Sequence, residues 1–174
     1  MKLSEVKAGK RFTVAGIEFI KFSGDEKATV AVAKDCVFNS SFGKNNNFAD
    51  SSALKRLKDE ILPKLEAAVG AENILEHKTD LTSLDGLKTY GSITEKISIP
   101  TFDFYRNNVS VFDDHKYAGW WWLATPDSTQ EHLNDRWCVC VSPFGFIDSN
   151  SYYYNGGVRP FCIFVSSISV SCEE

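Results

Sequence analysis

The sequence predicts a single α+β domain spanning residues 1–174, and three observations carry that reading. Runs of strand character crowd both ends of the chain, one long amphipathic segment lies between them, and no linker-like stretch or internal repeat divides the 174 residues. A chain of this length buries roughly 70 % of its unfolded surface, enough for a core without covalent staples. Hydrophobic residues at 43 % and charged residues at 24 % exclude intrinsic disorder, collagen and a coiled coil. Aromatics at 13 % favour β structure and a surface able to make contacts.

The elements follow in order. Arg11 to Val14, Ile17 to Phe22 and Ala28 to Ala33 read as strands, turned at Gly16 and at Ser23-Gly24-Asp25. Asn39 to Asn47 (NSSFGKNNN) reads as loop. Asp50-Ser51-Ser52 supplies N-cap candidates for a helix from Ser52 to Val69, closed by Gly70. In it Leu54, Leu57, Ile61, Leu65 and Ala68 share one face, and Pro63 predicts a kink or a split. From Ile74 to Ile99 the pattern weakens, with turns at Ser83 to Gly86 and near Gly91. Ile97, Ile99 and Phe102 suggest a strand, and the stretch after Phe104 a loop with Asp113-Asp114-His115 as its solvated tip. Gly119 to Leu123 is expected to be largely buried, since each tryptophan carries up to about 250 Å² of surface that water disfavours. Further strands are predicted at Trp137 to Val141, Phe144 to Ile147 and Val158 to Val165.

Charge and composition narrow the function. A net charge of −4 and a pI near 5.4, with no basic stripe, argue against a nucleic-acid partner. The opening MKLSEVKAGKRF lacks a signal peptide's apolar run, and nowhere do about 18 apolar residues run together, so cytoplasmic synthesis without membrane insertion is expected. Cys36, Cys138, Cys140, Cys162 and Cys172 are read as reduced thiols. Cys138 and Cys140 would stand about 7 Å apart on one strand face, too far to bridge. No CxxC pair exists and His77, His115 and His132 are scattered, so neither metal nor cofactor is expected.

The C-terminal third is uneven. From Trp137 to Cys172 the only charged residues are Asp148 and Arg159, whereas all fourteen lysines lie within the first 133 residues. Asp148 to Asn155 reads DSNSYYYN. One reading is a buried central sheet followed by a polar turn. The other is a recognition surface, because Tyr offers rigid contact area with a polar tip while Ser and Asn add adaptable hydrogen bonds. Tyr152, Tyr153 and Tyr154 in a row cannot all point inward.

Gly119-Trp120-Trp121-Trp122-Leu123-Ala124-Thr125-Pro126, followed by Gly157-Val158-Arg159-Pro160-Phe161, resembles a bacterial and phage domain family whose members carry WWLRSP and GVRP motifs. Ala124-Thr125 departs from the Arg-Ser usual there, so any role of that arginine is unfilled. The resemblance implies a C-type-lectin-like fold related to formylglycine-generating enzymes: a twisted antiparallel sheet flanked by two helices, with the N- and C-termini close together. It further implies kinship with the variable proteins of diversity-generating retroelements, in which adenines of selected codons are randomised. Asn codons randomised at both adenines never encode Lys, Glu, Gln, Met or Trp, and Cys138 to Asn155 contains none of these.

The expected function is therefore non-enzymatic binding of a protein or glycan ligand on a cell surface, by a protein of phage or prophage origin that is virion-associated and able to oligomerise. The analogy assigns ligand contacts to Asn134, Arg136, Cys138, Cys140, Phe144, Asp148, Asn150, Tyr152, Tyr153 and Tyr154. The alternative is a structural or assembly domain of a phage particle or bacterial surface with no dedicated ligand. Arg159 is expected to hold backbone carbonyls or a carboxylate. The spacing of Cys138 and Cys140 does not match the enzymes' catalytic pair. Pro126-Asp127 and Leu133-Asn134-Asp135 echo calcium-lectin elements without supplying the six to eight oxygens that calcium takes.

Overall fold

The computed structural model describes residues 1–172. The N-terminal strands form where expected, as β1 (Arg11–Val14), β2 (Ile17–Gly24) and β3 (Ala28–Ala33) in an antiparallel meander. The second turn falls later than predicted. The Asp25 carboxylate accepts from the Lys27 and Ala28 amides at 2.7 and 2.9 Å, so β2 runs on through Gly24. β4 (Phe38–Ser40) takes the start of the predicted Asn/Ser loop into a sheet.

The central helix runs unbroken from Ser52 to Val69, with a π turn ahead of Pro63 in place of a split. Ser51 Oγ accepts from the Leu54 amide at 3.0 Å and starts α1 (Ser52–Arg56), which passes through a π turn (Leu57–Ile61) into α2 (Leu62–Val69). Pro63 sits in the first turn of α2, where its missing N–H costs little. Leu54, Leu57, Ile61 and Leu65 are buried, but Ala68 is exposed. The extra residue of the π turn moves the apolar stripe onto Leu62, Leu65 and Val69.

The weakly patterned middle forms β5 (Ile74–Leu75), β6 (His77–Asp80), β7 (Ser92–Glu95) and β8 (Ile97–Ser98). Phe102 is helical, not extended: Thr101 Oγ1 accepts from the Phe104 amide at 3.2 Å and starts α3 (Phe102–Asn107). α4 (Val109–Asp114) follows, so the predicted loop is helical and Asp113-Asp114 lie exposed in its last turn. Neither helix is long enough to display a period, and burial of Tyr105 and Phe112 stabilises them instead.

At the C-terminal end stand β9 (Trp121–Pro126), β10 (Trp137–Val141), β11 (Ile147–Ser151), β12 (Gly156–Val158) and β13 (Phe161–Val165). Three expectations change here. Phe144 to Phe146 form the β10–β11 turn, Asp148 to Ser151 are strand rather than loop, and the predicted strand from Val158 to Val165 breaks at Arg159-Pro160. A proline has no N–H for a ladder, and the break sends β12 and β13 to different sheets.

One sheet has the order β1-β2-β3-β13-β5, with β8 also on β13, and the other β11-β10-β9-β12-β4; β6 and β7 pair alone. The second sheet is antiparallel except where β12 runs parallel to β9. One hydrophobic cluster joins Trp122, Cys138 and Cys140 to the buried stripe of α1 and α2. Another joins Trp121, Leu123, Val139 and Val141 to Tyr105 and Phe112 of α3 and α4. Alternate residues of β9 and β10 thus enter different clusters, which explains their uninterrupted burial. The Leu3 amide donates to Ile168 O at 2.9 Å and the Val170 amide to Met1 O at 3.0 Å, so residues 1–3 and 168–170 lie side by side. Among the described residues no helix is long and apolar enough to cross a membrane.

Candidate recognition surface

The GWWWL run is not uniformly buried. Trp121 and Trp122, in β9, are sealed in the two clusters, while Trp120 just ahead of the strand is 41 % exposed. Trp120, Leu133, Trp137, Phe144, Phe146, Tyr153 and Tyr154 all stand exposed; elsewhere among the described residues only Met1, Leu84 and Val109 are comparably open. Each 100 Å² of apolar surface left in water forgoes about 2.5 kcal/mol of burial, so this concentration works against stability.

The local backbone holds these rings outward. At the β10–β11 turn, buried Ser142 accepts through Oγ from the Phe144 and Phe146 amides, each at 3.2 Å. Its backbone amide donates to Phe146 O at 2.9 Å. Gly145 between the two rings has φ 88°, which L side chains rarely adopt. Phe144, 79 % exposed, lies near-parallel to Phe146 at 6.5 Å, and Phe146 meets Trp120 edge-on at 5.9 Å.

The tyrosine run makes the next turn. The Tyr152 amide donates to Arg136 O at 3.0 Å and its carbonyl accepts from the Phe42 amide at 2.8 Å, while its half-buried ring packs on the core. Tyr153 and Tyr154, 54 % and 51 % exposed, stack at 5.2 Å. Arg136 Nη2 donates to Tyr153 Oη at 2.6 Å, Nε to Ser151 Oγ at 3.3 Å, and the guanidinium also lies 5.3 Å from the Trp137 ring. Between Trp120 and Tyr154 opens a cavity of about 170 Å³, with buried Trp122 and Cys140 at its inner end and Asn150, Asn155 and Gly156 along its sides. These contacts join Phe144, Phe146 and Trp120 on one side of the cavity and Tyr154, Tyr153, Arg136 and Trp137 on the other, and the two groups together form an aromatic band.

Two glycines permit this packing. A Cβ on Gly156 would fall 2.6 Å from the Trp122 ring, and one on Gly157 would collide with Cys36 Sγ and fall 2.9 Å from Trp120 O. Trp122 cannot retreat freely, because its Nε1 donates to Ser40 O at 2.9 Å. Arg159 is buried, donates through Nε to Ala33 O at 3.0 Å, and lies 4.6 Å from the Trp121 ring. Burial pulls its pKa down to about 10, which leaves it charged at neutral pH.

Of the residues expected to touch ligand, Arg136, Phe144, Tyr153 and Tyr154 are exposed in the band, Asn150 lines its cavity and Tyr152 pins its turn. Asp148 is exposed on β11 opposite Cys140. Cys138 is a correction: it is fully buried against the helix-side core and meets no surface. Cys140, 2 % exposed, lies at the cavity's inner end and not on the face. Asn134 turns inward through its backbone, its carbonyl accepting from Asn46 Nδ2 at 3.3 Å. The sequence reading missed Trp120, Trp137, Phe146 and Asn155. Phe146 had a signal, since it repeats Phe144 across Gly145 at a turn.

Asn46, inside the stretch that the sequence reads as loop, is fully buried. Its Nδ2 donates to Ser128 O and Trp137 O, each at 3.0 Å, and its Oδ1 accepts from Tyr90 Oη at 2.7 Å. It thereby fixes the segment that delivers Arg136 and Trp137 to the band.

The chemistry available elsewhere is modest. Burial pushes the Cys138 thiol up, and that of Cys140 up to about 12, so neither offers a thiolate at neutral pH. Ser128 Oγ and His132 Nδ1 both donate to Asp85 Oδ2, at 2.5 and 2.8 Å. In a nucleophilic triad the serine would instead bond the imidazole. The cluster ties the 83–87 turn to residues 128–132.

No protein-family model matches the chain, and neither the curated proteins nor the solved structures yield a match.

Proposed function

We propose that this chain is a non-enzymatic recognition domain that binds a protein or glycan on a cell surface through the aromatic band. The observation that carries the reading is the concentration of exposed rings between residues 120 and 154, each held outward by backbone hydrogen bonds or packing. Aromatic and arginine side chains with few other charges are the composition of an interface centre. A stability cost accepted along one band of a well-packed molecule favours a contact role.

The finer fold reading is a C-type-lectin-like domain, supported by the pairing of residues 1–3 with 168–170 and by helices packed against alternate residues of the second sheet. The diversified-segment reading belongs to the same proposal: the β10–β11 turn, the exposed positions of β11 and the tyrosine turn would vary on a scaffold pinned by Trp121, Trp122, Arg159 and the buried residues of β10. A near-identical template repeat and a reverse transcriptase gene beside the coding sequence would support it, and a locus lacking both would remove it.

Binding is tested by selecting a random-peptide display library and probing a glycan array with the protein and with the triple variant Phe144→Ala, Tyr153→Ala, Tyr154→Ala. The expected outcome is at least one binder weakened tenfold or more (on the order of 1.4 kcal/mol) in the variant, with a melting temperature within about 2 °C of the parent. If no binder depends on the band, the domain is better read as structural, serving particle or surface assembly.

A further inference from the structure

Resting on the recognition reading, we infer that the cavity between Trp120 and Tyr154 is the anchor site of the band and takes one uncharged aromatic ring from a protein partner. Its volume is about 170 Å³. A dry protein cavity of roughly 150 Å³ admits benzene, whereas sites for whole small molecules begin at about 300 Å³. The space therefore suits a single ring, not a cofactor or an oligosaccharide.

The lining decides the chemistry. Indole and phenol rings supply most of it, and its polar side chains are the amides of Asn150 and Asn155 and the protonated thiol of Cys140. No charged side chain lines it. An anion entering would shed water without meeting a cation, since Arg136 is engaged by Tyr153 and Ser151 outside the cavity. A pyranose would bring several hydroxyls to two amides and leave the others unpaired. A phenyl or indole ring loses little on desolvation and gains edge or face contacts with Trp120 and Tyr154. The inner end is rigid: Trp122 is held by its bond to Ser40 O at 2.9 Å, so the space is preformed. Hot spots of this kind sit centrally in an interface, and the cavity lies between the Phe144–Phe146 pair and the Tyr153–Arg136 end of the band.

Titration of the ¹⁵N-labelled protein with indole, tetramethylammonium and methyl glucoside tests the inference. Indole is expected to give saturable shifts at the Trp120 indole N–H, the Asn150 side-chain amide and the Gly156 amide, with a Kd on the order of 1 mM. Asn150→Phe fills the cavity and should abolish these shifts; Tyr154→Ala, which opens a wall at an exposed position, should weaken binding about tenfold and serves if the first variant does not fold. Peptides selected on the band should carry Phe, Tyr or Trp at a fixed position and be displaced by indole. Indole that gives no saturable shift at these groups, or a cation or sugar that binds there more tightly, overturns the inference. Peptides that need Tyr153 and Phe144 but ignore indole sink the ring anchor and leave the recognition reading standing. Failure of every peptide and glycan to bind the band sinks that reading itself.

Discussion

At the scale of single residues, a few buried polar groups set the geometry of the exposed ones. Asn46 is the strongest case, because three carbonyls and one phenol converge on its amide. Asn46→Ala would leave buried acceptors unpaired and should cost about 3 kcal/mol. For a domain of this size that is a fall on the order of 10 °C in melting temperature. Calorimetry checks it, and a shift under about 2 °C would show that the loop holds without the amide. Nothing in the local pattern marked Asn46 among its neighbours Asn45 and Asn47, since its role depends on partners 44 to 91 residues away. Cys138 and Cys140 were misplaced for a related reason. Codon arithmetic treats every position of a segment alike, whereas the pleat turns alternate residues of β10 into different cores.

At the scale of elements, close approach between β12 and β9 is what permits the Gly156-Gly157 pair and is permitted by it. Gly156→Ala places a methyl 2.6 Å from a tryptophan ring that is itself tethered. The expected cost is about 1–3 kcal/mol with altered Trp122 packing, read by denaturant unfolding and near-ultraviolet circular dichroism. An unchanged spectrum and midpoint would mean that β12 slides away freely. Strands with clear alternation and the capped helix were legible, because their signals are local. α3 and α4 were not, since one helical turn carries too little period and their stability comes from Tyr105 and Phe112 meeting Trp121.

At the scale of the whole molecule, the turn between β6 and β7 is clamped to the segment before β10 through Asp85. Hydroxyls of Ser128 and Ser83, then the imidazole of His132, hold its carboxylate down to about 2, against an ordinary value of 3.8. A depressed acid contributes stability that is present above pH 3.8 and is lost as pH falls towards 2. The carboxylate is about one-third exposed, which keeps the contribution near 1 kcal/mol or below. Acid unfolding followed by circular dichroism should thus be steeper between pH 4 and 2 in the parent than in Asp85→Asn. Identical slopes would remove the clamp from the account.

Composition and local order were legible in the residues alone: an α+β chain, its opening meander, a central helix made irregular near Pro63, and a charge-poor, tyrosine-rich segment near the end. These follow from periodicity, capping and backbone chemistry, which act over a few residues. The tertiary structure decided which aromatic residues face water. Trp120, Trp121 and Trp122 are chemically equal and adjacent, yet one stands at a cavity mouth and two lie in separate cores. That assignment depends on strand register and on Gly156 and Gly157 from a distant strand, and no neighbouring residue encodes it.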